Sequence, residues 1–338
     1  MNRKTIILSF LLFISLGAFS QNIFNKKENT TNNKKSTDES GIGNITRDSL
    51  RDCSLELTEA KDQIDLLQKY VKKIRNPRSE IDSSTLLNTG KYYALIIAVQ
   101  HYKNKENFPD LEYTIRDAEA LQTVLEENYI FEQIDILIDP EREAIMRQLS
   151  GLREATANTD NDNVLIFYAG HGSKWDTPDM KDGYWCPTKA ELQRYESFIN
   201  NSDIKNYIRL IGSRNTLLIS DACWAGSMRE RKLIFGSSAK TSNSDVLQDK
   251  YDKKSRFYMS SGAETTVPDE SVFMKYLLKE LKNNTDRYLS SSDLFDRIKK
   301  PTEFNAPRSN GKIVTPEHLP IHNVGHEGGE FFFIKKIK

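Results

Sequence analysis

Apolar residues along this chain fall into short continuous runs separated by longer amphipathic stretches. The runs are "YYALIIAV" from Tyr92, "IDILI" from Ile134, "NVLIFYA" from Asn163, "TLLIS" from Thr216 and "RFYMS" from Arg256. Runs of this length, without strict alternation, are what strands covered on both faces look like. They predict strands over 91–102, 131–139, 162–172, 216–227 and 255–262. Between and after them, 114–128, 141–158, 203–211, 271–284 and 291–300 have helical spacing of apolar positions. Strands alternating with helices predict the α/β class, with a mainly parallel sheet flanked by helices. In such sheets chemistry collects beyond the carboxyl ends of the strands.

Before residue 90 the pattern is of another kind. Residues 1–20 carry Arg3 and Lys4, then about fifteen apolar positions, then Ala18 and Ser20 at the small positions of a cleavage site. This is the pattern of a secretory signal. The run is short for a bilayer span, which needs roughly 20 residues, so no stable membrane span is expected after cleavage. The mature chain is expected to be exported, either periplasmic or secreted. Residues 21–47, rich in Asn, Lys, Thr and Ser, have little to bury and read as a disordered spacer. Residues 48–76 then repeat in sevens: Leu50, Leu57, Ile64 and Val71 form one row, Cys53, Ala60, Leu67 and Ile74 another. Two readings of this heptad helix stay open. It is an amphipathic helix docked on its own domain, or a coiled coil making a parallel homodimer through residues 50–74, with Cys53 at the seam. Pro77 stops it, a linker covers 77–89, and one domain is expected over 90–338.

Charge changes the picture only by exclusion. Lys+Arg and Asp+Glu balance at 48 each, so net charge argues for no nucleic-acid partner. Three cysteines, Cys53, Cys186 and Cys223, cannot build a disulfide framework.

Two of the predicted strands end in residues that carry chemistry: "FYAGHG" brings His171, and "LLISDACWAGS" brings Cys223. If these strands are neighbours, an imidazole can take the thiol's proton and create a nucleophilic thiolate. The Gly172 N–H, unobstructed by a side chain, would form an oxyanion hole with the N–H of Cys223. The reaction implied is acyl transfer through a thioester. No residue that orients the histidine can be named from the sequence.

The pair of motifs resembles the caspase-like cysteine peptidases, and most closely their bacterial metacaspase-type branch. The resemblance extends to "YALIIAVQHYKN", "PDLEYTIRDAEAL", "DGYWCPT", "ESVFMKYLLKEL" and the closing "GGEFFFIK", spanning roughly residues 90 to 337. It implies a caspase-like fold, a His171/Cys223 dyad, and an oxyanion hole from Gly172 and Cys223. It also implies a use for two acids. Caspases open a basic pocket with an arginine that would fall at Leu111 here; metacaspases line the pocket with acids, at positions matching Asp117 and Asp221. Two carboxylates at a pocket floor select Arg or Lys, so the expected partners are proteins or peptides cut after those residues. The bland alternative is that Asp117 caps a helix and Asp221 pairs with a backbone or basic group. Arg116 could neutralise the pocket, but as the helix neighbour of Asp117 it is expected to point elsewhere.

In this family calcium activation is common. The acids of "KWDTPDMKDG" (Asp176, Asp179, Asp182) lack EF-hand spacing, and Lys189 stands where relatives commonly carry an acid. No cofactor or metal is therefore expected, and the case for calcium is weak. Residues 228–256 read as a mobile surface loop, either merely solvated or cut during activation at Arg231, Lys232, Lys253 or Lys254. Cys186 reads as a packing residue, Trp224 as pocket wall or core, and His101, His318, His322 and His326 have no assigned role. The competing functional reading is a caspase-fold scaffold with weak or no turnover, assembled through its heptad helix and binding peptides. A third keeps the chemistry, with Arg116 making the pocket neutral or acid-accepting.

Overall fold

The computed structural model describes residues 87–176, 181–222, 244–262, 270–307 and 314–337. The signal, spacer, heptad helix and most of the linker lie outside the described residues, as do Cys53, Asp179, Cys223, Trp224, Arg231 and Lys232.

In chain order the elements are β1 (Tyr92–Ala98), α1 (Thr114–Asn128), β2 (Gln133–Ile138), α2 (Arg142–Ala155), β3 (Asn163–Ala169), β4 (Gly172–Asp176), β5 (Lys181–Trp185), β6 (Ile199–Asn200), α3 (Asn201–Leu210), β7 (Asn215–Asp221), α4 (Ser244–Asp252), β8 (Ser255–Ser260), α5 (Val272–Lys282), β9 (Tyr288–Ser290), α6 (Ser291–Asn305), β10 (Glu317–Pro320) and β11 (Phe332–Ile334). Six strands form the main sheet in the order β10-β8-β7-β3-β1-β2. All its neighbours pair in parallel except β10, which runs antiparallel to β8 at the edge.

The continuous apolar runs follow from this layering. Every residue of β1, β3 and β7 is buried, because alternate side chains enter two separate cores. Ala94, Ile96, Leu165, Phe167, Leu217 and Ile219 pack with Leu121 and Leu125 of α1, Leu277 of α5 and Leu294 of α6. Leu95, Ile97, Val164, Ile166 and Leu218 pack with Ile145 and Leu149 of α2 and Ile204 and Ile208 of α3. A mainly parallel sheet flanked by helices, as expected, is the result.

Departures from expectation are local. β3 stops at Ala169 rather than 172, because the chain turns at Gly170 and re-enters as β4, which forms a hairpin with β5. The composition of "GSKWD" gives no strand signal; tertiary pairing makes it one. From residue 244 onward the expected 228–256 loop is not a loop. Residues 244–252 are α4, with Leu247 and Tyr251 buried in the first core, and Ser255 and Arg256 already belong to β8. Its Ser-, Lys- and Asp-rich composition hid the two apolar residues that anchor it. α6 continues through Pro301 to Asn305, since Ile298 and Thr302 remain fully buried on either side of the proline. β10 was not anticipated: it is four residues ending in Pro320, which an edge strand tolerates.

Candidate active site

At the carboxyl edge of the sheet Ala169 of β3 lies opposite Asp221 of β7, and the chain leaves β3 through Gly170. A Cβ at that position would come within 2.9 Å of the hydroxyls of both Tyr102 and Tyr168, so only glycine fits. These two hydroxyls hold the next peptide in place. The His171 N–H donates to Tyr102 Oη at 2.7 Å, and Tyr168 Oη donates to the His171 carbonyl at 2.8 Å. The Cys186 N–H donates to the same carbonyl at 3.1 Å and also to Tyr168 Oη at 3.1 Å. Trp185 stacks flat on Tyr168 with ring centres 4.3 Å apart. Burial pushes both tyrosine pKa values well above the ordinary range, so both stay protonated and available as donors.

The His171 ring lies 4.9 Å from the Tyr102 ring and 6.0 Å from that of Phe108, centre to centre. Its Nε2 is 2.8 Å from the carbonyl oxygen of Pro109. A carbonyl only accepts, so Nε2 carries the hydrogen and, in the neutral ring, Nδ1 keeps the basic lone pair. This orienting group is one that sequence reasoning missed. It is a backbone atom 62 residues away, and nothing in a residue's identity announces a carbonyl's direction. Gly172 follows at once, opening β4 opposite Trp185.

Asp221 closes β7 in the same alternating row as Leu217 and Ile219 and is only 9% exposed. Its Oδ1 has no hydrogen-bond partner among the described residues. Burial raises its pKa to about 6; the Ser261 and Ser271 hydroxyls pull it down, and the charge of Asp117 pushes it up. The two carboxyls are thus near enough to sense each other, as the resemblance implies. Asp117 is 6% exposed and sits in the first turn of α1, where the free N–H groups favour a carboxylate. The cap position itself is Tyr113, whose side chain makes no capping bond.

One expectation is overturned. Arg116 does not point elsewhere: its Nε and Nη2 donate to Asp117 Oδ1 at 3.1 and 3.0 Å. Helix neighbours leave the axis about 100° apart, but an arginine arm is long enough to fold back. The ring of Tyr113, one turn earlier, supports the guanidinium at 4.3 Å. Leu111 is partly buried and packs into the second core.

Other candidates resolve into structural roles. Cys186 is fully buried in the second core. Lys189 pairs with Glu141 at 2.5 Å. Asp182 accepts from the Gly183 N–H and from Ser202 Oγ. Among the described residues no group of three or more His, Cys, Asp or Glu could hold a metal ion, and no helix is long and apolar enough to cross a membrane. His101 Nδ1 lies 2.7 Å from Asp139 Oδ2. His318 stacks on Phe257 and Phe295, and burial lowers its pKa to about 3. His326 Nδ1 accepts from the Arg256 N–H.

A parallel sheet thus brings an oriented histidine and the buried Asp221 to one carboxyl edge. A family model described as the caspase domain matches residues 91–316, more than half of the chain. The chain therefore belongs to the caspase-domain family of cysteine peptidases, whose substrates are proteins. Among solved structures it is similar to a protein from Geobacter sulfurreducens, at 18% identity over 70% of this chain and 97% of that one, TM-score 0.46. Caspase-1 from Spodoptera frugiperda is also similar, at 16% identity over 72% and 93%, TM-score 0.49. A search of curated proteins found no match.

Proposed function

We propose that this protein is an exported cysteine endopeptidase of metacaspase type that cleaves after Arg or Lys. One juxtaposition carries the reading: an imidazole with its Nε2 tied to Pro109 lies at the same sheet edge as the buried Asp221, and Asp117, also buried, is near enough for its charge to reach Asp221. Cys223 is two positions beyond Asp221 as His171 is two beyond Ala169, and those two residues are register partners.

In this mechanism His171 Nδ1 takes the proton of the Cys223 thiol, and the thiolate attacks the scissile carbonyl carbon. The oxyanion accepts from the N–H groups of Gly172 and Cys223. As the C–N bond breaks, the imidazolium returns the proton to the leaving amine, and a thioester remains. Water, deprotonated by His171, then attacks the thioester; the new acid leaves and the thiol re-forms. Asp117 and Asp221 receive the basic side chain before the cut. No cofactor takes part in any step.

The test is hydrolysis of fluorogenic peptides ending in Arg, Lys or Asp by the mature chain and by Cys223→Ala, with calcium and with chelator. Cleavage after Arg or Lys that disappears in the alanine variant is the expected result. Cleavage after Asp would remove the roles given to Asp117 and Asp221, and no cleavage under any condition would leave the peptide-binding scaffold.

A further inference from the structure

Resting on that acidic-pocket reading, we propose that Arg116 is a built-in competitor for the carboxylate of Asp117. In the free protein it takes the place that a substrate's guanidinium takes on binding. Two of its donors, Nε and Nη2, converge on the single oxygen Oδ1, making charge-assisted bonds of the kind a substrate guanidinium would make with the same acid. The pair is unequal in a telling way. The Asp117 side chain is 9% exposed, while that of Arg116 is 58% exposed. A partner mostly in water, held from the surface, exchanges at little cost, because leaving strands no buried cation. Tyr113 supplies the alternative seat: the guanidinium already lies over its ring at 4.3 Å, a contact that survives release of the carboxylate. Asp221, also buried, is out of this pairing, so the pocket keeps one acid for the incoming cation. Specificity for basic residues is then retained while affinity is held down.

The consequence is measurable without catalysis. Agmatine, a guanidinium on a short alkyl chain, is titrated by calorimetry into the mature chain carrying Cys223→Ala, with and without Arg116→Gln. Removing the competitor is expected to tighten agmatine about fivefold, and in the active chain to lower KM for arginyl peptides by a similar factor with kcat within about twofold. A permanent neutraliser would also weaken binding, so a second readout separates the two. The Arg116 side-chain Nε–H resonance, assigned by its loss in Arg116→Gln, is followed in ¹⁵N-labelled protein. Displacement moves it to the position of solvent-exposed arginines as agmatine saturates. A resonance that stays fixed, or an affinity that does not change on substitution, overturns the proposal while leaving the acidic pocket intact. No agmatine binding by either form refutes the pocket reading itself and the proposal with it.

Discussion

Asp221 shows how one side chain can be poor for the fold and good for a site. Its carboxyl is buried beside a second acid, and its pKa rises from 3.8 to about 6. The folded protein therefore holds this proton more tightly than the unfolded chain. Whatever Asp221 contributes is fully present below about pH 4 and is lost as pH rises to about 6. Above that, the buried charge costs about 3 kcal/mol, at 1.36 kcal/mol per pKa unit. Asp221→Asn is expected to raise stability at pH 7.5 by roughly 1–3 kcal/mol in urea unfolding, with the gain shrinking towards pH 4. The same substitution is expected to weaken binding of a guanidinium ligand, and binding by the unsubstituted chain is expected to fade as pH drops through about 6. Equal stability of the two forms at pH 7.5 would show that the carboxylate has a partner after all. His171 presents the opposite case. Its place is set by Gly170, by two tyrosine hydroxyls and by the Pro109 carbonyl, so its surroundings, not its own chemistry, fix the direction of the imidazole.

Among the elements, β7 and β8 depend on a residue that reads in sequence as an ordinary polar strand position. Arg256 is 2% exposed. Its Nη1 donates to the carbonyls of Arg214 and Ser255, and its Nη2 to that of Ser213. Burial lowers its pKa to about 10, against the opposing charge of Glu327, so it remains a cation at neutral pH. The charge is spread over three carbonyl dipoles where β7 and β8 start, one of which, that of Arg214, also accepts from the Ser255 N–H. Arg256→Met is expected to cost roughly 1–3 kcal/mol in urea unfolding, the cost of leaving a buried acceptor stranded. A loss below about 0.5 kcal/mol, the size of an ordinary surface change, would mean that water replaces the guanidinium. A comparable device starts α6: Ser290 caps the helix through Asp293 N–H. Glu330, buried, accepts from Ser291 Oγ, Ser292 Oγ and the Phe331 N–H, tying the chain's last strand to the helix's first turn.

For the molecule as a whole, these ties decide which parts of the chain a peptidase can reach. A protease needs several residues in extended, unpaired form. Lys254 is bonded through its carbonyl to the N–H groups of Glu327 and Gly329. Its own N–H donates to Glu327 Oε2. Gly329 lies so close to Lys253 that a Cβ there would collide with the Lys253 carbonyl. Brief trypsin treatment of the native chain is therefore expected to spare the bonds after Lys253 and Lys254, and peptide mass mapping checks it. Early cleavage at either would show that the segment opens before the rest of the domain. Sparing of both would remove them from the four activation sites named from sequence.

The α/β class, the main helices and the five parallel strands were legible from the apolar runs, because a strand buried on both faces must be apolar throughout. His171 was legible as a residue worth attention, since a histidine between two glycines at a strand end has few other reasons to be there; Asp221 was legible at the end of its strand near Cys223, and Asp117 only through the family resemblance. The tertiary structure alone decided the direction of the imidazole, the hairpin of β4 and β5, α4, and the contact of Arg116 with Asp117. Each of these depends on backbone groups, on burial, or on where a long side chain folds, and none of those is written in the spacing of residue types.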